Sequence, residues 1–307
     1  MAFFKRSKHR NYDVFSGYAW HVPGVAGMFG LLGWLLVGAL LGNVVSGVFL
    51  LCMGTGGTEY ATLIAYPVMF IPAMIASKYV SNRNMLFEEG YAVENRHFGR
   101  RGGWILGFLC IVATIGAVFC MEFFNSLMPD LPAWLEEMLE SMTGGTFWVN
   151  FLHVCIFAPI FEEWLCRGMI LRGLLNYRRP DGSRGLRPLW AIVISAAFFA
   201  AIHVNPWQAL HAFALGLLFG YVYWRTGSLR LTMLMHFTNN TFCLILGQFS
   251  LLDTTDTLMD VMPLPVYAIL FAGSAAFLYW FVKDLGKIAL ARPQGNCDEL
   301  IPDELGK

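Results

Sequence analysis

The sequence predicts an all-α, polytopic membrane helix bundle of about eight transmembrane helices, with both termini in the cytoplasm. Three observations carry that expectation. The 307-residue chain is 57% hydrophobic and 14% charged, where a soluble domain carries about 25% charged residues, and its mean hydropathy is +0.55. Its apolar residues are gathered into runs of membrane-spanning length, about 20 residues each. The loops between the runs alternate in charge. In lipid every backbone polar group has to be satisfied within the protein, so the unit is a helix bundle.

In order, the runs fall at about 25–52, 60–80, 104–126, 147–175, 188–204, 208–225, 229–251 and 264–283. The basic N-terminus (Lys5, Arg6, Lys8, Arg10) precedes a run too long for a signal peptide and without a small-x-small cleavage pattern, so it reads as a retained span. Gly38-x-x-x-Gly42-x-x-x-Ser46 in the first run and Gly216-x-x-x-Gly220 in the sixth permit close approach of helix backbones. Residues 131–142 interleave Leu131, Trp134, Leu135, Met138, Leu139 and Met142 with Glu136, Glu137 and Glu140. With Asp130 as N-cap and Gly144-Gly145 as a stop, they predict an amphipathic helix on the outer surface. The fifth and sixth runs are short and separated only by Val204-Asn205-Pro206-Trp207, so they fit two spans or a partly re-entrant pair.

The loops fix the orientation. Basic residues gather at the N-terminus, at Arg83, Arg96, Arg100 and Arg101, at Arg178, Arg179, Arg184 and Arg187, at Arg225 and Arg230, and at Lys287 and Arg292. The alternate loops carry Glu59; Asp130, Glu136, Glu137 and Glu140; and Asp253, Asp256 and Asp260. Both termini are therefore expected inside. Residues 1–146 read as an N-terminal membrane region of three spans plus the interfacial helix, 147–283 as a second membrane domain, and 284–307 as a cytoplasmic tail. The net charge of zero gives no reason to expect a nucleic-acid partner. Of the seven cysteines only Cys297 lies clear of the apolar runs, and no C-x-x-C pair occurs, so they read as small packing residues.

The chemistry is concentrated in Phe161-Glu162-Glu163-Trp164-Leu165-Cys166-Arg167, inside the fourth run. A charge at the centre of a bilayer costs roughly 3 kcal/mol on insertion scales, so such residues point to function. Glu163 and Arg167 are spaced i,i+4 with the acid first, the favourable order for pairing. Glu162 lies about 100° round the helix and has no partner on its own helix. Elsewhere, His203 ends the fifth run, and His236 and Asn240 share one face of the seventh. His236 lies on the order of 10 Å below the cytoplasmic end of its span, at a depth that can meet Glu162. His203 sits too near the outer end to join them unless the fifth helix ends in mid-membrane. Singly, an intramembrane His or Asn is ordinary interhelical glue, and His153, His211 and Asn239 are read as structural. Jointly, Glu162, His203, His236 and Asn240 fit peptide hydrolysis: a carboxylate as general base on water, an imidazole to orient it, and a His–Asn pair to donate to an oxyanion. Cys166 lies about a helical turn from Glu162 without an evident base. No cofactor is assigned; zinc held by Glu and His from separate helices is the alternative.

Glu162-Glu163-x-x-x-Arg167, Phe199-x-x-x-His203 and His236-x-x-x-Asn240, in that order across successive spans, resemble the CPBP family of intramembrane proteases. That family includes the type II CAAX prenyl endopeptidases and prokaryotic proteins linked to bacteriocin self-immunity. The run His211-Ala212-Phe213…Gly216…Gly220…Thr226-Gly227-Ser228-Leu229 is similar too, and the likeness covers about residues 150–245. It implies a CPBP-like catalytic domain over 147–283 and a glutamate-type, metal-independent endopeptidase with its site open to the cytoplasm. Glu162 becomes the general base, His203 its partner on the water, and His236 with Asn240 the oxyanion pair. Glu163 and Arg167 become a supporting pair. The expected partners are the lipid bilayer and a membrane-embedded or lipidated peptide or protein substrate, and the expected location is a prokaryotic plasma (inner) membrane. A non-catalytic adaptor or bacteriocin-immunity protein retaining the fold is the second reading. A transporter or ion pathway is the third, against which no paired broken helices stand in the two halves.

Overall fold

The computed structural model describes residues 23–84, 98–136, 145–177, 186–203, 205–248 and 258–288. Each predicted run is a helix: α1 (Val25–Met53), α2 (Thr58–Asn84), α3 (Gly102–Asn125), α4 (147–175), α5 (Pro188–Ala201), α6 (Pro206–Thr226), α7 (Leu229–Gln248) and α8 (Leu264–Leu285). No strand occurs among the described residues. Four helices, α1, Thr58–Val80 of α2, α3 and α8, are long and apolar enough to cross a membrane, and the protein is an integral membrane protein. The interfacial helix begins after Pro132, whose carbonyl accepts from the Leu135 and Glu136 N–H groups, and not at the predicted Asp130 cap, because Pro132 is the residue that opens the first turn; residues 133–136 are helical, and 137–142 and both termini lie outside the described residues.

Small residues set the helix contacts. α1 and α2 form a hairpin in which a Cβ on Gly38 would run into the Met69 carbonyl and one on Gly42 would meet the Ala65 carbonyl at 3.0 Å. α5 and α6 close in the same way, with Gly216 against Ala196 and Gly220 against Ile192. Both contacts follow the small-residue spacing read in the sequence. α6 begins with the Asn205 side chain capping the Trp207 N–H and Pro206 in its first turn, where a missing N–H costs nothing. It ends at Gly227 in the left-handed conformation, φ 63°, and the two-residue link to α7 lets Ser228 Oγ accept from the Leu231 N–H.

At the centre of the molecule stands α4. Every residue from Trp164 to Leu171 is buried, and Trp164, Leu165, Met169, Ile170 and Leu171 anchor the largest apolar cluster. The rod is not uniformly wound, because Phe151–Phe157 and Trp164–Leu171 take the wider π-helical turn. Pro159 accounts for the first of these. It has no N–H to donate and its ring crowds the carbonyl four residues back, and the Ala158 N–H reaches five residues back to His153. By contrast α1 presents Phe29, Leu36, Leu40 and Leu51 outward, as a helix apolar on all sides does in lipid.

Candidate active site

Glu163 and Arg167 are wholly buried and joined at 2.7 Å, as their spacing predicts. The guanidinium also donates to the Gly216 carbonyl at 3.3 Å, a contact opened by the close α5–α6 approach. It lies between two aromatic faces, 4.4 Å from the Phe199 ring centroid and 5.3 Å from that of Phe219. Stacking of a desolvated guanidinium on aromatic faces adds to the ion pair. From α7, His236 Nδ1 reaches the same Glu163 oxygen at 3.1 Å. A carboxylate only accepts, so Nδ1 carries the proton and Nε2 points the other way. The Glu163–Arg167 pair thus orients His236.

Glu162 faces a different direction. It was expected without a partner, and on its own helix it has none. Tyr66 of α2 supplies one, its hydroxyl donating to Oε1 at 2.5 Å. The second oxygen, Oε2, is buried without a hydrogen-bond partner among the described residues and lies 4.0 Å from His236 Nε2. That gap is too long for a hydrogen bond and suits a bridging water.

His203 caps the end of α5, where its Nδ1 donates to the Phe199 carbonyl at 2.7 Å and leaves Nε2 available. The helix is short, as an end in mid-membrane requires. α5 has 14 residues, about 21 Å of helix, which falls short of a hydrocarbon core of about 30 Å. His203 and His236 pack edge-on against one ring, Phe199, with centroids 4.9 and 5.4 Å away. No contact joins His203 to Glu162 directly among the hydrogen bonds and ion pairs of the site.

Asn240 is tied to α4 by a donation from Nδ2 to the Val154 carbonyl at 2.7 Å. The need for that bond comes from Pro159. With the Ala158 N–H taken by His153 and residue 159 lacking one, the Val154 carbonyl loses its helical donor. Asn240 keeps a second amide proton. Its oxygen accepts from Asn239 at 3.0 Å, and Asn239 in turn pairs with His211 Nε2 at 3.0 Å. His211 and Asn239, read as structural from the sequence, therefore form a polar chain that ends on Asn240. What the sequence reading missed is Tyr66, whose single hint is a polar tip inside an apolar run that needs a partner once buried.

Between α4 and α7 a cleft of about 300 Å³ is lined by Cys155, Ile156, Pro159, Ile160, Met233 and Phe237 among others. Ile160 and Met233 each lie three residues before a site residue, Glu163 and His236. Among the described residues no group of three His, Cys, Asp or Glu has an arrangement able to hold a metal ion.

The fold and the site define a class: an integral membrane protein of helices whose interior gathers adjacent carboxylates, a guanidinium and two imidazoles. Within that class, residues 144–242 match the family described as Type II CAAX prenyl endopeptidase Rce1-like. The match runs from the start of α4 into α7 and takes in Glu162, Glu163, Arg167, His203, His236 and Asn240. It covers about a third of the chain and leaves Tyr66 outside. No curated protein and no solved structure matches the chain.

Proposed function

We propose that the protein is an intramembrane endopeptidase that hydrolyses a peptide bond of a membrane-associated substrate, with Glu162 as general base and without a metal. The observation that carries this reading is the asymmetry of one carboxylate. Glu162 has one oxygen held by Tyr66 at 2.5 Å, while the other is buried, unpartnered among the described residues and 4.0 Å from His236 Nε2. A water at about 2.8 Å from both atoms would see them at an angle of about 90°, a workable geometry for its two hydrogen-bonding directions.

In the step we assign, Glu162 Oε2 takes a proton as the water oxygen bonds to the scissile carbonyl carbon, whose π electrons move onto oxygen. The second amide proton of Asn240 donates to that oxyanion. His236, its Nδ1 fixed by Glu163, and His203, its Nδ1 fixed by the Phe199 carbonyl, present their Nε2 atoms as the adjustable polar groups. As the carbonyl re-forms, the C–N bond breaks and the proton on Glu162 passes to the leaving amine. The apolar cleft beside α4 and α7 suits a substrate carrying hydrocarbon, and a prenylated C-terminal tail has that chemistry. The basic loops of the sequence support a site whose accessible end faces the cytoplasm.

The test uses purified protein in detergent with fluorogenic peptides, including a prenylated CAAX peptide. Loss of a general base costs typically 10²–10⁴-fold, so Glu162→Ala is expected to lower cleavage by at least about 100-fold. His236→Ala is expected to lower it too, and wild-type cleavage to survive a strong chelator. Chelator-sensitive cleavage would replace the glutamate mechanism with a metal one. Full cleavage by Glu162→Ala would remove Glu162 from the chemistry.

A further inference from the structure

We infer that Tyr66 is a positioning residue for Glu162, so that the α1–α2 hairpin, outside the matched domain, completes the site. The inference rests on Glu162 being the general base. A glutamate carboxylate turns freely about its last torsion, which is broad and roughly two-fold. Among the described residues no hydrogen bond from α4 restrains that torsion in Glu162. The Tyr66 hydroxyl, at 2.5 Å from Oε1 and within the range of a hydroxyl-to-carboxylate bond, fixes which oxygen is held and which is turned to His236.

The phenol is itself held. Its ring packs edge-on to His153 at 4.6 Å and tilted to Phe70 at 5.5 Å. Phe70 stacks on Phe161, the residue before Glu162, at 5.1 Å and 16°. The helix that carries Tyr66 is anchored about two turns earlier, where the Glu59 carboxylate accepts from the Thr146 N–H at 2.7 Å and from its hydroxyl at 2.9 Å. That places a carboxylate at the start of α4, where the helix dipole favours it. Two attachments, one at the start of α4 and one at its reactive carboxylate, set the hairpin's register along α4. A buried phenol needs an acceptor whatever its role, so the test has to separate positioning from packing.

Tyr66→Phe removes one oxygen and keeps the ring contacts. The full chain is compared as wild type, Tyr66→Phe, Glu162→Gln and the double variant, on the fluorogenic peptide that wild type cleaves. A misplacement of a reacting group by about 1 Å costs about 100-fold. Tyr66→Phe is therefore expected to lower kcat of the folded protein by about 10- to 100-fold, with KM changed by less than about twofold; the melting temperature falls as well, because Glu162 Oε1 loses its donor. In the Glu162→Gln background the same change should alter the residual rate by less than about twofold, because the group being positioned is gone. Retention of wild-type kcat, a loss confined to KM, or an equal loss in both backgrounds would overturn the inference. Wild-type rates from Glu162→Gln alone would overturn the base assignment instead, which keeps the two failures apart. A second measurement needs no change at Tyr66: the infrared difference between wild type and Glu162→Gln should contain a shifted tyrosine C–O band, and its absence overturns the bond.

Discussion

Replacing Arg167 by Met tests the interior of the site most directly. Arg167 and Glu163 are both fully buried, and removal of the guanidinium leaves Glu163 with only neutral groups of α7, the His236 imidazole and the Thr232 hydroxyl, beside it. Breaking a buried ion pair by removing one partner costs about 3–5 kcal/mol. The aromatic faces of Phe199 and Phe219 lose a stacked cation as well, worth about 2 kcal/mol when desolvated, which Met packing offsets only in part. Arg167→Met is thus expected to lose at least about 3 kcal/mol. Adding Glu163→Gln removes the uncompensated charge, and the Gln carbonyl oxygen still accepts from His236 Nδ1. The double variant should recover to within about 1.5 kcal/mol of wild type, since removing both charges of a buried pair is often close to neutral. The assay is unfolding in mixed micelles titrated with SDS, followed by tryptophan fluorescence, for all four members of the cycle. An Arg167→Met cost below about 1 kcal/mol, or a double variant less stable than either single one, would refute the reasoning.

Two further outcomes follow from the packing. Gly38→Val drives a side chain into the Met69 carbonyl and should cost about 1–3 kcal/mol by overpacking, with cleavage falling as Tyr66 is displaced; melting and rate measurements on one sample check both. Asn240→Leu should cost about 1–3 kcal/mol by leaving the Val154 carbonyl without a donor, and that cost should shrink when Pro159→Ala restores an N–H nearby; a double-mutant cycle on stability decides it.

The helices themselves were legible because they depend on local quantities. Apolar run length fixes where a span can lie, and the observed ends of α1 to α8 fall close to the runs read from the sequence. The Glu163–Arg167 bond was legible for the same reason, since i,i+4 spacing on one helix brings the groups together without any other helix. The close contacts at Gly38, Gly42, Gly216 and Gly220 needed only a stripe without side chains. His203 was the instructive difficulty. Its depth made sense only once α5 proved to be 14 residues long, because an apolar run does not mark where the last helical turn stops.

What the sequence by itself determined is which residues share a helix and a face, for the period of a helix is a local property. It could not say that Tyr66 meets Glu162, 96 residues away, or that His236 takes Glu163 as its acceptor and turns Nε2 to Glu162. It gave no sign of the π-helical turns of α4 beyond the presence of Pro159, and those turns rotate the residues that follow out of the simple α-helical phase. Only the tertiary structure decided these pairings. In lipid, apolar surface does not choose one neighbouring helix over another, so adjacency and rotation are settled by small-residue contacts and by the few polar groups that must find partners across the bundle.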